Sequence, residues 1–456
     1  MRGNDSKIWA DVDWFLVLLY FIFVIFGVSN IYSSVYNPEN PNLFSLNTEH
    51  GKQIMWVGIS LFLGIIIMIV DGALIRKLSF WIYGVLMVLL VMVLFTQPIN
   101  GARSWFGIGS FGIQPSEVAK VGVCLALSAH LAANPAGKKR IAPSISITYL
   151  VDLVQNNWKT IAILGIPAIL VLLQPDAGTF IIFTSFILVL YREGHAGNVL
   201  LFLLVAVIIA IITLIVADSS FILPFLKIKM GGKFGIVLAL LVIGIIFYVL
   251  IRNFVLKRNR AGLYRALIGS LIVSILFVNF VEWGYSTFLD VHQKERIELL
   301  LGKIEDPDGK GYNVNRAKAA IGSGGFAGKG YQQATLANAS QKHVPMQSTD
   351  FIFCTWSEER GFLGSGLLVI LYCTLFIKIL SMAERQRSAY TRIYAYCVAG
   401  VFFYHFMINV GMGIGLAPVI GIPLPLFSYG GSSVLTFSLL IFILVKLDSE
   451  RKIVLQ

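Results

Sequence analysis

The sequence predicts an all-α polytopic membrane protein, and three observations carry that prediction. Hydrophobic residues make up 57% of the 456 positions and charged residues 13%, where a soluble domain carries about 25% charged. Apolar runs near the ~20 residues that cross a bilayer recur from end to end, and a backbone at that depth must satisfy its own N–H and C=O groups, as a helix does. One polar stretch, at about 284–361, breaks this rhythm and is far longer than the roughly 2–8 residues that usually join neighbouring helices.

Twelve apolar runs qualify as spans, at about 14–32, 53–70, 78–96, 116–133, 160–174, 177–191, 198–217, 233–251, 264–283, 361–381, 390–411 and 424–446. The polar segment Met1 to Asp13 precedes the first, which is too long for a signal-peptide core and reads as a retained helix. The fifth and sixth runs meet at Gln174-Pro175-Asp176, which fits either a tight outer turn or a broken helix facing a cavity. With the N-terminus inside, the inner loops collect Arg76 and Lys77, Lys138, Lys139 and Arg140, Arg192, then Arg252, Lys257, Arg258 and Arg260, then Arg385 and Arg387. Cytoplasmic loops hold such an excess of Lys and Arg; Lys227, Lys229 and Lys233 weaken the bias without reversing it. Both termini are then cytoplasmic and the 284–361 loop extracytoplasmic. No repeat or low-complexity tract divides the chain, so residues 1–456 are expected to form one integral membrane domain.

The formal net charge of +12 has the same origin. No basic patch is interleaved with a soluble fold, and nucleic acid is not an expected partner. Cys124, Cys354, Cys373 and Cys397 lie in or beside apolar runs without CxxC spacing, and the six histidines show no ligand spacing. Neither a disulfide framework nor a structural zinc site is expected.

Candidate chemistry concentrates in three places. In the long loop, Glu305-Asp306-Pro307-Asp308 puts three carboxylates into four residues, and the glycine-dense run Ile321 to Gly330 includes Lys329. A solvated acidic turn is the bland reading of the first; the second allows close backbone approach but lacks phosphate-loop spacing. Ahead of the fourth run stand Arg103 and then Gln114-Pro115-Ser116-Glu117, with Lys120 following. Ser116 can cap the helix, Glu117 favours its positive end, and Lys120 shares a face with Glu117. These charges, like Asp176, are either a local ion pair or part of a cavity wall, because charge at membrane depth is costly and usually functional. Last, Asn409-Val410-Gly411-Met412 followed by the Gly/Pro/Ser run from Pro418 to Ser433 reads as a re-entrant turn lining a cavity or as close helix packing.

Taken in order, these strings resemble the SEDS family of cell-wall polymerases. The resemblance is carried by GAR-x-W (101–105), QPSE-x-x-K (114–120), LQPD-x-GT (173–179), EDP-x-G-x-GY (305–312), IGSGG-x-x-GKG (321–330), STDFIF (348–353) with Glu358 and Glu359, and P-x-x-GIPLPL-x-SYGGSS (418–433). Within the family, SYGGSS and the compact termini look RodA-like (elongation) rather than FtsW-like (division). Departures fall at Asn313 to Ala317, at Met346, and in segment 331–343. The resemblance implies a SEDS-type bundle with a core of ten helices, so two of the twelve spans, between 198 and 283, are surplus. It implies a peptidoglycan glycosyltransferase of the bacterial inner membrane that moves glycan from undecaprenyl-pyrophosphate-linked lipid II to a sugar hydroxyl of a second lipid II, inverting the donor to a β-1,4 linkage, in cell elongation and shape maintenance. Asp306 is the implied catalytic base. Arg103, Lys120, Arg296 and Lys329 are candidates for the pyrophosphate, and Glu117, Asp176, Asp350, Ser428 and Tyr429 for the cavity. The reading leaves open whether Asp306 holds a divalent cation, Mg²⁺ or Mn²⁺, and assigns no other cofactor. Implied partners are membrane lipids, a class B penicillin-binding protein (the cross-linking transpeptidase) and other elongation-complex proteins. Competing readings are a lipid II flippase, a division-type polymerase and a scaffold.

Overall fold

A computed structural model describes residues 11–36, 44–97, 103–108, 111–135, 147–195, 199–216, 220–222, 229–287, 294, 312–337, 344 and 346–452. In chain order the elements are α1 (Trp14–Ser34), α2 (Glu49–Ile69), α3 (Gly72–Val93), β1 (Phe106–Ile108), β2 (Phe111–Ile113), α4 (Pro115–Ala133), α5 (Ile147–Leu172), α6 (Ala177–Phe183), α7 (Phe186–Arg192), α8 (Val199–Val216), β3 (Ser220–Ile222), β4 (Lys229–Gly231), α9 (Gly232–Phe254), α10 (Lys257–Thr287), α11 (Tyr312–Ser323), α12 (Ile352–Glu384), α13 (Ala389–Ile414) and α14 (Gly431–Ser449). The architecture is a polytopic helical membrane protein. Each expected apolar run is helical over most of its length, but among the described residues nine helices are long and apolar enough to cross a bilayer alone. The fifth run is the apolar part, Trp158–Leu172, of α5; the sixth divides at Thr184-Ser185 into α6 and α7; the seventh is α8. The twelfth starts late, because Pro423, Pro425 and the backbone of Gly430 (φ 159°) hold 424–430 in a turn before α14.

Capping side chains fix where several helices begin. Asp13 accepts from Leu16 N at 3.2 Å, Thr48 from Gly51 N at 3.4 Å, Asp71 from Ala73 N at 2.8 Å and Asp176 from Thr179 N at 2.9 Å. α4 differs from expectation. Pro115 takes its first helical position, where a missing N–H costs nothing, and Gln114 stands at the N-cap. The Ser116 hydroxyl, expected to cap, is turned instead to Asp176 Oδ2 at 3.0 Å.

The chain packs as two compact units: residues 1–135, 159–193 and 307–456, and residues 136–158 and 194–306. In the first unit α14 is the most enclosed helix, with 89% of its apolar window buried, against 22% for α2. Its small hydroxyl residues allow this. Ser432, Ser433, Thr436 and Ser438 are all buried, and Ser438 Oγ lies 3.0 Å from Tyr20 Oη of α1. At one end of this unit, ion pairs join three helix termini: Asp13 with Lys378 and Arg385, both at 2.8 Å, and Asp448 with Arg385 at 2.5 Å and Arg451 at 2.9 Å.

The loop expected at 284–361 is shorter than its sequence suggests. α10 runs to Thr287, α11 occupies Tyr312–Ser323, and α12 opens at Ile352. The helix boundary expected at 361 is instead a break inside α12, where Gly361 takes φ 62° and ψ −161°. A Cβ there would lie 2.3 Å from Gly328 N, so the break lets two backbones touch, which only glycine permits.

The second unit holds α8, the antiparallel β3–β4 ribbon pairing Phe221 with Met230, and a helical hairpin of α9 and α10. Gly244 of α9 seats against Leu271 of α10; a Cβ at that glycine would come 2.6 Å from Leu271 Cδ1. The Tyr248 and Tyr264 rings lie 5.0 Å apart, and Lys233 pairs with Glu282 at 2.5 Å.

Candidate active site

A cavity of about 420 Å³ lies in the first unit, lined by the start of α4, the 174–179 turn, the 349–350 and 421–433 segments, and α13. Glu117, Asp176, Asp350 and Tyr429, four of the five expected cavity residues, line it, and the buried Ser428 sits behind. Segments far apart in sequence converge because each supplies the hydrogen bonds another lacks.

Asp176 is the first junction. Oδ1 caps α6, while Oδ2 accepts from Gln114 Nε2 at 2.9 Å, Ser116 Oγ at 3.0 Å and Thr179 Oγ1 at 2.8 Å. One carboxylate thereby ties the QPSE segment to the LQPD-x-GT turn. The Gln174-Pro175-Asp176 link is thus a tight turn between helices; Gln174 is buried, donating to Leu90 O at 3.2 Å.

The second junction is a buried cation. Lys120, fully buried, donates to Glu117 Oε1 at 2.7 Å and to His405 Nε2 at 2.8 Å, with the Phe437 ring 5.7 Å from its Nζ. His405 Nδ1 lies 3.1 Å from Pro423 O. That carbonyl can only accept, so Nδ1 carries the proton and Nε2 is the acceptor facing Lys120. The expected Glu117–Lys120 pair exists, but Lys120 lies behind the cavity wall while Glu117 and His405 line it.

The third junction joins two loops. Ser428 Oγ donates to Thr349 O at 2.6 Å, Tyr429 N to Ser348 O at 2.9 Å, and Asn409 Nδ2 to both Asp350 O at 2.9 Å and Ile422 O at 2.7 Å. Gln53 donates to Ser428 O at 3.2 Å and accepts from Gly430 N at 3.1 Å. The SYGG segment is therefore held by α2 and the 346–351 turn, and α13 ties that turn to Ile422. Burial, and then the Glu49 carboxylate, push the Tyr429 phenol above its ordinary range.

Elsewhere in the same unit the glycine-dense run forms a strap against α12. The Glu358 carboxylate, with no exposed surface, accepts from three successive backbone groups, Thr335 N at 2.9 Å, Leu336 N at 3.0 Å and Ala337 N at 2.8 Å, and from Lys329 Nζ at 2.5 Å. Glu359 beside it accepts from Gln332 N at 3.0 Å, from the Ser33 hydroxyl, and from Arg360 at 3.1 Å. Lys329 is thus engaged by Glu358. Arg103 is exposed, donating to Leu94 O at 3.3 Å, two residues from the cavity-lining Trp105. Asp306 and Arg296 lie outside the described residues, and among the described residues no group of three or more His, Cys, Asp or Glu side chains could hold a metal ion.

Several residues that build the site had no sequence signal as single positions. His405 sits in an apolar run, and Gln53 opens another. Gln114 and Glu358 lie inside quoted strings, but their partners are 62 and roughly 20 residues distant.

A profile described as "Cell cycle protein", covering FtsW, RodA and SpoVE, matches residues 13–228 and 261–453. The peptidoglycan glycosyltransferase RodA of Treponema pallidum (strain Nichols) is 30% identical over 454 residues, covering 97% of this chain and 98% of the relative. The peptidoglycan glycosyltransferase MrdB of Helicobacter pylori is 30% identical over 456 residues, covering 98% and 93%. Among solved structures, a chain of a peptidoglycan synthase complex described as coordinating polymerization and crosslinking superposes with a TM-score of 0.63 at 24% identity, covering 96% of this chain and 98% of that one. The last likeness speaks to the fold.

Proposed function

This chain belongs to the FtsW–RodA–SpoVE family, and from that premise we propose a chemistry for it as a peptidoglycan glycosyltransferase of the elongation type, a multi-pass bacterial membrane protein. The carrying observation is likeness to a RodA glycosyltransferase along nearly the whole chain, through every segment that frames the cavity. We place both termini on the cytoplasmic side and the 288–351 segment outside, following the basic residues of the short loops.

The donor is lipid II. A sugar hydroxyl of a second lipid II attacks the anomeric carbon, the bond to the pyrophosphate oxygen breaks, and undecaprenyl pyrophosphate leaves with the electron pair. Direct displacement inverts an α-linked donor to a β-linked product. The hydroxyl is a weak nucleophile, so a positioned base removes its proton as the bond forms, and Asp306 is assigned that role. Pyrophosphate leaves without needing a protonated acid, so one carboxylate suffices where glycoside hydrolases generally use two. Arg103 and Arg296 are assigned to the pyrophosphate, where a guanidinium can grip two oxygens. Lys329 and Lys120, occupied by Glu358 and by Glu117 with His405, are assigned to hold the strap and the cavity wall. Glu117, Asp176, Asp350, Ser428 and Tyr429 shape the cavity. A divalent cation, Mg²⁺ or Mn²⁺, is compatible with a site supplied by one carboxylate plus phosphate oxygens. We also assign a class B penicillin-binding protein as the partner that cross-links the product.

The test is polymerisation of labelled lipid II by purified protein. Asp306→Asn should insert and melt like the parent but make no polymer. Polymer at the parental rate would remove Asp306 from the mechanism. Lipid II movement across liposomes by a preparation that makes no glycan would support the transport reading instead.

A further inference from the structure

The family profile passes over residues 229–260, and those residues build most of one element: α9 and the turn that carries it into α10. The hairpin is bound along its length. Gly244 meets Leu271, Tyr248 meets Tyr264, and at the open end Lys233 is neutralised by Glu282. Its outer faces are apolar and exposed; only 11% of the apolar window of α9 and 6% of that of α10 are buried. A hairpin so exposed stands in lipid.

Its closed end is built differently. Arg252, Lys257, Arg258 and Arg260 flank the two-residue turn Val255-Leu256, Arg265 follows about two turns along α10, and the sequence contains no Asp or Glu between Asp218 and Glu282. None of the five forms an ion pair among the described residues. Arg260 Nε donates to Val255 O at 2.7 Å and Arg265 Nε to Ala261 O at 3.4 Å, which leaves the outer guanidinium N–H groups of both unengaged by these bonds. Two large apolar side chains sit among the charges, Phe254 at 83% and Leu256 at 79% exposure. A cap of exposed apolar side chains ringed by unpaired cations matches the boundary between acyl chains and anionic headgroups.

We propose that the closed end of the α9–α10 hairpin is a binding surface for anionic glycerophospholipid, its basic residues on headgroup phosphates and Phe254 and Leu256 in the acyl boundary. The inference is independent of the transfer chemistry; it requires only that the hairpin spans the membrane. The cations alone would also arise from the topological bias of loop charges, which acts while the chain inserts and is blind to headgroup chemistry afterwards. A binding surface instead makes the folded protein select one headgroup over another.

The experiment uses the purified full-length chain, equilibrated in mixed micelles of equal phosphatidylglycerol and phosphatidylcholine, with retained lipid counted by native mass spectrometry. Phosphatidylglycerol should be enriched over phosphatidylcholine by about tenfold, and raising salt from about 0.1 to 1 M should reduce the enrichment, since exposed charges are screened over a few ångströms at the higher value. The variant Arg252→Gln, Lys257→Gln, Arg258→Gln should lose most of it. Lys138→Gln with Lys139→Gln, which removes charge from a different basic segment, should retain it, and neither set should change glycan polymerisation in neutral detergent. Equal retention of the two lipids by the parent protein would overturn the proposal, as would enrichment indifferent to salt. Should the triple variant fail to insert, the parent's headgroup preference and salt response decide the matter. Enrichment lost equally in the Lys138/Lys139 variant would assign it to overall charge and also overturn the proposal.

Discussion

The residue that most alters the sequence-level reading is His405. A lone histidine in an apolar run is most simply a core residue, yet it bridges Lys120 of α4 to Pro423 O of the cavity turn. Lys120 has no exposed surface, and Glu117 and His405 are the two acceptors for its buried ammonium. Glutamine can reproduce both bonds, accepting from Lys120 and donating to Pro423 O; phenylalanine reproduces neither. His405→Gln should therefore polymerise lipid II within about threefold of the parent, while His405→Phe should fall about 10- to 100-fold, the loss expected for one hydrogen bond to a charged group. In a Lys120→Met background the phenylalanine substitution should add little further loss. A full additional loss there would show that His405 acts apart from Lys120.

At the scale of elements, the strap from Gly324 to Ala337 contains neither helix nor strand, and it is held by acceptors aimed at backbone. Gly328 and Gly330 donate their N–H groups to Gly324 O and Glu359 O, both at 2.9 Å, and Gly361 opens α12 so that the strap can lie against it. Glu358 then gathers three backbone donors and Lys329. Glu358→Ala leaves that ammonium and those N–H groups without their acceptor, at a cost of about 2–4 kcal/mol. The local signature is faster tryptic cleavage after Lys329, with little change at sites on the opposite end of the bundle; unchanged cleavage would mean that the strap is held by its glycine packing alone. This element also marks how far the sequence could be read. Apolar runs declared the helices because membrane depth imposes one solution on the backbone, and the QPSE, LQPD and SYGG strings announced a cavity because buried charge and broken helices rarely occur together otherwise. Long-range acceptors such as Glu358 and Asp176 were legible only as acidic letters. Their partners are backbone groups and amides that the sequence does not label, and for that reason Lys329 read as a free cation when Glu358 engages it.

At the scale of the whole first unit, opposite charges secure the bundle where the chain enters and leaves it. Asp13 caps α1 and pairs with Lys378 and Arg385, and Arg385 also reaches Asp448 at the end of α14. Burial alone would raise the Asp13 carboxyl, but the hydrogen bonds from Lys378 and Arg385, with that from Leu16 N, hold it below its ordinary value. A group whose folded pKa lies below its unfolded one adds stability above the unfolded pKa and loses it as pH falls through the folded value. The contribution of Asp13 should thus be complete at neutral pH and decline once pH drops below about 4, the ordinary range of an aspartate. Melting temperatures of the detergent-solubilised parent and of Asp13→Asn, taken from pH 7 down to pH 3, measure this directly. The parent should melt higher at pH 6–7, by an amount that does not vary between those values, and the two curves should converge at the acid end. A gap that persists undiminished at pH 3 would mean that asparagine fails for reasons of shape or capping rather than charge, and that the ion pairs of this end do not secure the three helices together.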